Sequence, residues 1–210
     1  MDRNVAGIIL AGGQARRMGG GDKPLLSLGK ARLIDHVAAR LKPQVAMLGV
    51  NANGDPARFA GMGLPVIEDT VPGHAGPLAG ILAGLEWAAG QKGSRWLMSA
   101  AGDTPFFPDN LVGRLAAATR ERPDAIAVAS SGGRWHPTFA LWPLGLRDAL
   151  HHFLIDEENR RVSAFMERHG HVEVEFPMIE AGGQKIDPFF NVNTPDDLAV
   201  AERLLQSLRP

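Results

Sequence analysis

A glycine-rich, basic segment near the start of the chain has residue types that suit polyphosphate binding. It follows an apolar run, residues 5–9, which has the length of a buried strand. Glycines let backbone N–H groups approach an anion without a Cβ in the way. A cation about 4 Å from a phosphate oxygen contributes roughly 4 kcal/mol at an effective dielectric near 20, before desolvation. The glycines are Gly12, Gly13, Gly19, Gly20 and Gly21, and the basic residues are Arg16, Arg17 and Lys23.

The segment matches neither of two well-known phosphate-binding motifs. A Walker A loop has Ser or Thr after its lysine, whereas Pro24 follows Lys23 and Ala31 follows Lys30. A dinucleotide fingerprint opens directly into a helix, and Pro24 stands where its third glycine would lie. The alternative is a surface loop with solvated cations. Because so many glycines and cations directly follow a buried strand, anion binding is the favoured interpretation.

Length and composition narrow the class of protein. A chain of 210 residues suits one domain, and we expect a single domain over residues 1–210. With 22 basic and 23 acidic residues, the formal net charge is -1, so any anion binding must be local. The chain has no cysteine, which excludes disulfides and thiolate metal sites. We expect a soluble, cytoplasmic protein, because no apolar run is long enough for a signal peptide or a span. The near-zero net charge favours neither nucleic acid nor a membrane surface as a partner, and we expect a monomer.

Strand and helix patterns alternate along the chain. Strands are predicted at residues 5–9, 45–50, 64–67, 96–101, 125–129 and 138–142, with an edge strand at 172–176. Helices are predicted at residues 31–41, 76–89, 109–120, 143–153 and 161–169. A last helix begins with Thr194 as its cap, Pro195 in its first turn and Asp197 at the third position, and Leu208 would help to pack it. The pattern predicts a Rossmann-like α/β fold with three layers, in which helices cover both faces of a mainly parallel sheet.

Polar residues follow several predicted strands, and the carboxyl ends of parallel strands form ligand crevices. Asp103 lies in a turn after residues 96–101 and could hold Mg²⁺, which often takes one or two carboxylates plus substrate phosphates. Alternatively, Asp103 has a structural role in the turn or as a helix cap. Asn51 and Asn53 could bind a base or ribose or form an ordinary turn, and Asp69 could bind a ligand or cap a turn.

Two further segments have both a functional and a structural interpretation. Gly76, Pro77 and Leu78 open a helix whose free N–H groups suit a flat ring, although most such segments only serve packing. His136 is next to a predicted strand, where a structural histidine is favoured over a catalytic base. The other histidines lack zinc-ligand spacing, and there is no Gly-x-Ser-x-Gly elbow.

This combination of groups suits nucleotidyl transfer. The acceptor phosphate attacks the α-phosphate of a nucleoside triphosphate and pyrophosphate leaves, so the protein itself needs no covalent step. Positive charge must be concentrated where negative charge develops. Lys23 and Arg17 would neutralise the α-phosphate and the leaving group, while Asp103 would hold magnesium.

The motifs together resemble those of the molybdenum cofactor guanylyltransferases over nearly the whole chain. They are Leu10-Ala11-Gly12-Gly13, Arg17-Met18-Gly19, Asp22-Lys23, Asn51-Ala52-Asn53, Glu68-Asp69, Gly76-Pro77-Leu78-Ala79-Gly80, Asp103-Thr104-Pro105, His136-Pro137-Thr138 and Asn191-Val192-Asn193-Thr194-Pro195. The resemblance implies a nucleotidyltransferase fold and transfer of GMP from GTP to the phosphate of molybdenum-bound molybdopterin. One departure is the glycine triplet before Asp22, which makes this loop longer than in some members.

The resemblance also implies site residues and partners. GTP contacts are implied at Leu10, Ala11, Gly12, Gly13, Lys23, Asn51, Asp69 and Asp103, with Asp103 also the Mg²⁺ ligand. The pattern at Gly76, Pro77 and Leu78 matches the guanine side, and relatives that use CTP lack it. Asn191 and Asn193 are expected on the molybdopterin side. Expected protein partners are molybdenum-insertion proteins and recipient molybdoenzymes or their chaperones.

Two alternatives remain open at this point. One is a related transferase that uses CTP or acts on a sugar or alcohol phosphate, and nucleotide preference separates it from the first interpretation. The other is a noncatalytic nucleotide-binding accessory protein. The presence of both Lys23 and Asp103 argues against the accessory protein, because it would have no need of the metal carboxylate.

Overall fold

The computed structural model describes residues 2–12, 22–71, 73, 76–156, 161–181 and 183–207. The strands in this part of the chain are β1 Asp2–Leu10, β2 Ser27–Leu28, β3 Ala31–Arg32, β4 Val45–Asn51, β5 Val66–Ile67, β6 Trp96–Ala101, β7 Ile126–Ser131, β8 Arg134–Pro143, β9 His171–Glu175, β10 Ile179–Ala181 and β11 Gln184–Ile186. The α-helices are α1 Leu33–Leu41, α2 Pro77–Ala89, α3 Leu111–Ala118, α4 Arg147–Asp156, α5 Val162–His169 and α6 Pro195–Ser207.

The central sheet has the order β5-β4-β1-β6-β8-β7-β9. All neighbouring strands are parallel except β8, which is antiparallel to both β6 and β7. Leu10 of β1 lies in register with Asn51 of β4 and with Ala101 of β6. The carboxyl ends of these three strands therefore meet at one edge of the sheet, which is where the sequence predicts a crevice.

Apolar side chains of β1 alternate between the two faces of the sheet and explain the three layers. Val5 and Ile9 pack in a core with α1 and α3, whereas Ala6 and Ile8 pack on the opposite side with α2, α4 and α5. Because both faces are covered, the strand is a nearly continuous apolar run. The predicted α/β fold with a mainly parallel sheet is confirmed, and residues 171–175 form its edge strand.

Some local predictions differ from the structure. The helix predicted over residues 31–41 begins at Leu33, because Ala31 and Arg32 pair with β2 in a small hairpin. Residues 144–146 form a 3-10 turn before α4, so the helix predicted over 143–153 begins later. The 3-10 segment Pro56–Met62 and the β10–β11 hairpin were not predicted. Leu208 lies outside the described residues.

None of the six described α-helices combines the length and the apolar composition that crossing a bilayer requires.

Candidate active site

An open cleft of about 820 Å³ lies at the carboxyl ends of β1, β4 and β6. Backbone hydrogen bonds continue beyond these strands, since the Ala11 N–H donates to Asn51 O (2.9 Å) and the Gly102 N–H donates to Leu10 O (3.0 Å). The described residues that line the cleft are Leu10, Ala11, Gly12, Asp22, Lys23, Pro24, Asn51, Ala52, Asn53, Arg58, Asp69, Gly76, Pro77, Ala101, Asp103, Thr138 and Asn191.

Lys23 and Asp103 form an ion pair in this cleft although they are far apart in the sequence. Lys23 begins the 3-10 turn Lys23–Leu25, and Asp103 follows β6. The Lys23 ammonium donates to an Asp103 carboxylate oxygen and to the side-chain oxygen of Asn193. The side chains of Lys23 and Asp103 are 13% and 16% exposed, so a ligand can still reach both charges.

The segment before α6 is attached to Asp103. The Val192 N–H donates to Asp103 O at 3.0 Å. The buried Thr104 hydroxyl lies 3.1 Å from Asp103 Oδ1 and 2.7 Å from Asn191 Oδ1. These contacts bring the segment of Asn191 and Asn193 close to Asp103, and its role on the molybdopterin side stays a prediction.

The start of α6 is fixed by reciprocal capping. The Asp197 carboxylate accepts from the backbone N–H groups of Asn193 (2.9 Å) and Thr194 (2.8 Å), and the Asp197 N–H donates to the Thr194 hydroxyl (3.1 Å). This confirms the predicted cap at Thr194 and Asp197.

Asn51, Asn53 and Asp69 form a second polar group in the same cleft. The side-chain amides of Asn51 and Asn53 donate to the two carboxylate oxygens of Asp69, at 2.9 and 2.8 Å. Asn51 also packs tightly against α2, because a Cβ on Gly80 would lie 2.1 Å from Asn51 Oδ1. The glycine at position 80 therefore makes room for the Asn51 side chain.

The remaining predicted site residues fall into different places. Leu10, Ala11 and Gly12 line the cleft with Gly76 and Pro77. Leu78 is buried in the apolar core around α2 and is absent from the described lining. Gly13 and Arg17 lie outside the described residues. Nucleotide contacts at all these positions stay predictions.

Arg58 is a cleft residue that the sequence reasoning missed. It lies in the 3-10 segment Pro56–Met62, and its guanidinium donates to the carboxylate of Asp22 and to the backbone carbonyls of Asn53 and Asp55. A single arginine in a segment without a recognisable period gives no signal of this role. The described charges of the cleft are thus three carboxylates and two cations, with Asp103 bound to Lys23 and Asp22 bound to Arg58.

A histidine cluster, made of Ser131, His136 and Asp187, lies farther along the same sheet edge. The Ser131 hydroxyl is 2.7 Å from both His136 Nε2 and Asp187 Oδ1. Since an ionised carboxylate only accepts, the hydroxyl donates to Asp187 and accepts from His136 Nε2–H. Burial lowers the pKa of His136, as does nearby Arg134, whereas Asp187 and Glu175 oppose this effect. The imidazole stacks on Phe189, which supports its structural interpretation.

Comparison with known proteins adds sequence relatives of similar length. Residues 7–172 match the MobA-like NTP transferase domain. The chain is 63% identical over 208 residues to a molybdenum cofactor guanylyltransferase from Mesorhizobium japonicum, with 99% of each protein covered. It is 51% identical over 201 residues to a molybdenum cofactor guanylyltransferase from Bradyrhizobium sp., with 95% of this chain and 92% of the relative covered.

Solved structures share the fold at lower identity. Molybdopterin-guanine dinucleotide biosynthesis protein A from Archaeoglobus fulgidus matches with a TM-score of 0.72 at 22% identity, covering 97% of this chain and 100% of that chain. A 4-diphosphocytidyl-2C-methyl-D-erythritol synthase from Anaerococcus prevotii also reaches 0.72, at 12% identity, covering 97% of this chain and 96% of that chain. At these identities the likeness concerns the fold alone.

Proposed function

This chain belongs to the MobA-like NTP transferase family, and we propose that it works as a molybdenum cofactor guanylyltransferase. In this reaction GMP is transferred from GTP to the phosphate of molybdenum-bound molybdopterin. The new bond joins an acceptor phosphate oxygen to the α-phosphorus of GTP, and the bond to the β-phosphate breaks, so pyrophosphate leaves. The observation that carries the proposal is a single cleft that holds both the Asn51–Asn53–Asp69 group and the Lys23–Asp103 pair.

The guanine side of the proposal rests on Asp69. A carboxylate only accepts hydrogen bonds, and the Watson–Crick edge of guanine presents two adjacent N–H donors. Cytosine presents an amino group next to an acceptor nitrogen, and a carboxylate oxygen would repel the lone pair of that nitrogen. The amides of Asn51 and Asn53 orient the carboxylate of Asp69 and still leave it further acceptor capacity. This chemistry favours GTP over CTP.

The phosphate side of the proposal rests on Lys23. Its ammonium is a compact cation on a flexible stem, so it can turn from Asp103 towards the phosphates. There it would neutralise charge on the α-phosphate and on departing pyrophosphate, which is the main requirement of a transfer without a covalent enzyme intermediate. We assign the same role to Arg17, and we assign Gly13 to the phosphate-binding loop.

The residues around Asp103 also fit Mg²⁺. The Asp103 carboxylate already binds one cation, the Lys23 ammonium. Among the described residues, however, no group of three or more His, Cys, Asp or Glu side chains could hold a metal ion. One carboxylate is enough for Mg²⁺, which commonly completes its shell with phosphate oxygens and water. When bound, the ion would stabilise negative charge on the phosphates. We propose Asp103 as its protein ligand.

The acceptor side is proposed at Asn191 and Asn193. Asn193 accepts from Lys23 and Asn191 from Thr104, and both of these partners also contact the Asp103 carboxylate. Amide side chains can donate to a phosphate as well as accept from a pterin. They can therefore orient the attacking phosphate beside Lys23.

We further propose that the enzyme acts as a monomeric single domain in the cytoplasm. It would receive its acceptor from molybdenum-insertion proteins and pass its product to recipient molybdoenzymes or their chaperones.

Calorimetry with GTP and with CTP, in the presence of magnesium, tests the proposal on wild type and Asp103→Ala. We expect selective binding of GTP that weakens in the variant. A preference for CTP would favour the cytidylyl relative, and binding of neither nucleotide would favour an accessory protein. Pyrophosphate release that depends on molybdopterin then tests the transfer itself.

A further inference from the structure

We propose that Arg58 is a positioning residue for the transfer reaction. It binds Asp22 and thereby fixes the backbone position of the adjacent Lys23 relative to the nucleoside side of the cleft. This inference rests on the proposed function and adds a residue that lies in none of the motifs of the family resemblance. The evidence is the set of groups that one guanidinium joins.

The Arg58 guanidinium binds three acceptors from two separate segments. Nη1 donates to the carboxylate of Asp22, Nη2 to the carbonyl of Asn53, and Nε to the carbonyl of Asp55 at 2.9 Å. The three contacts use three different nitrogens of the planar guanidinium, whereas the three donors of a lysine all lie on one nitrogen. A lysine could keep the charge opposite Asp22 but not the whole set of contacts.

Two of the three acceptor residues are connected to different parts of the candidate site. The Asp22 carbonyl accepts from the Leu25 N–H (3.0 Å) and so closes the turn that carries Lys23. Asn53 donates its side-chain amide to Asp69 on the proposed guanine side. Arg58 therefore connects the phosphate side of the cleft to the nucleoside side through direct hydrogen bonds.

Arg58 is itself held in position before any ligand arrives. Its 3-10 segment is capped by Asp55, whose side chain accepts from the Ala57 N–H at 2.9 Å. The Arg58 carbonyl accepts from the Arg32 guanidinium at 3.2 Å, and Arg32 is fixed by two hydrogen bonds to Asp35 of 2.8 Å. Such a supported side chain is suited to positioning other groups.

The negative charge of Asp22 is a second argument that Arg58 acts through Asp22. A carboxylate in a triphosphate cleft repels its ligand unless a cation pairs with it, and Asp22 pairs with Arg58. Direct binding of phosphate by Arg58 makes the opposite prediction about Asp22. If Arg58 were held back from the ligand by Asp22, removing that carboxylate would free the cation and tighten GTP binding.

The test compares Arg58→Ala, Arg58→Lys, Asp22→Asn and the double variant Arg58→Ala/Asp22→Asn. The measurements are KM and kcat of the transfer reaction and the calorimetric Kd for GTP with magnesium. We expect Arg58→Ala and Asp22→Asn each to weaken GTP binding about tenfold, with the double variant no weaker than the worse single variant. Arg58→Lys should lie between wild type and Arg58→Ala.

Arg40→Ala is the matched control for loss of an Arg–Asp pair. Arg40 Nη1 donates to Asp109 (2.8 Å) and to the Phe107 carbonyl (3.2 Å), and the side chains of Arg40 and Arg58 are 29% and 30% exposed. Both alanine variants should lower Tm by similar amounts, but Arg40→Ala should leave KM and Kd unchanged.

Three results would overturn the inference. They are tighter GTP binding by Asp22→Asn, additive losses in the double variant, and an unchanged Kd for Arg58→Ala. A wild-type protein that binds no GTP would instead contradict the proposed function, so the two failures are distinguishable.

Discussion

Two polar regions share the carboxyl edge of the central sheet, but only one of them lines the cleft. The cleft at β1, β4 and β6 holds charged side chains that a ligand can reach, such as Lys23, Asp103 and Arg58. The histidine cluster at β7 and β8 holds His136 and Ser131, which are only 8% and 3% exposed. Both regions are rich in hydrogen bonds, so the number of such bonds does not distinguish them.

The difference lies in what could replace the existing hydrogen bonds. In the cleft, cations bind carboxylates that border open space, and phosphates or a metal can compete for either partner. In the histidine cluster, Ser131 joins His136 to Asp187 and the imidazole is stacked on Phe189, so its polar groups satisfy one another. We therefore expect changes in the cleft to affect turnover and changes in the cluster to affect stability.

The largest effect is expected from Asp103→Ala. Turnover at saturating magnesium should fall by about a thousandfold or more, because the proposed metal carboxylate is lost. The assay is pyrophosphate release, with Asp109→Ala as control, since Asp109 is 81% exposed outside the cleft lining. Near-normal product formation by Asp103→Ala would contradict the mechanism.

Lys23→Ala should lower kcat/KM for GTP by about a hundredfold. Both turnover and triphosphate affinity should fall, because the ammonium would act on ground-state and developing charge alike. Lys30→Ala removes an exposed lysine from the neighbouring turn and should leave both quantities unchanged. An unchanged rate of pyrophosphate release in Lys23→Ala would argue against its role.

Ser131→Ala tests the other side of the comparison. It should lower the free energy of unfolding by about 1–3 kcal/mol, because the buried His136 and the partly exposed Asp187 both lose a hydrogen bond. GTP affinity and kcat should stay unchanged. Ser207→Ala, at the exposed end of α6, should alter the free energy of unfolding by less than about 0.5 kcal/mol. Lost turnover at an unchanged free energy of unfolding would indicate that the histidine cluster has a role in the reaction.

Gly80→Ala should weaken GTP binding about tenfold without any change of charge. The added methyl group would lie 2.1 Å from Asn51 Oδ1, so Asn51 must leave Asp69. Gly113→Ala is the matched helix substitution, because a Cβ at Gly113 meets nothing within 4 Å. It should stabilise the protein by up to about 1 kcal/mol and leave calorimetric GTP binding unchanged. Equal Kd values of wild type and Gly80→Ala for GTP would show that the position of Asn51 does not affect nucleotide binding.

The smallest expected effect is a pH dependence of stability. Burial lowers the pKa of His136 below its ordinary value of 6.5, so the unfolded chain binds more protons at mildly acidic pH. The free energy of unfolding should therefore fall as pH decreases through about 6.5, by at most about 1.4 kcal/mol per pH unit for this group. His136→Gln should reduce that slope, as measured by urea unfolding at several pH values. His169, whose pKa is also lowered by burial, should account for part of what remains.

Much of the fold was predictable because long apolar elements have a clear period. The strands at residues 45–50 and 96–101, the helix around residues 76–89 and the cap at Thr194 agree with the structure within a few residues. The β2–β3 and β10–β11 hairpins were missed, because strands of two or three residues are too short to show alternation. The antiparallel direction of β8 was equally invisible, since a buried strand has the same composition in either direction.

By itself, the sequence determined the fold class, and it predicted phosphate binding by the glycine-rich segment and candidate roles for Lys23, Asp69 and Asp103. These follow from local composition and from the rule that ligands bind beyond the carboxyl ends of parallel strands. Only the tertiary structure decided which polar residues meet. Lys23 contacts Asn193 across 170 positions, and Arg58 contacts Asp22 across 36. Such contacts depend on how packed elements bring distant loops together, and no local pattern of residues carries that information.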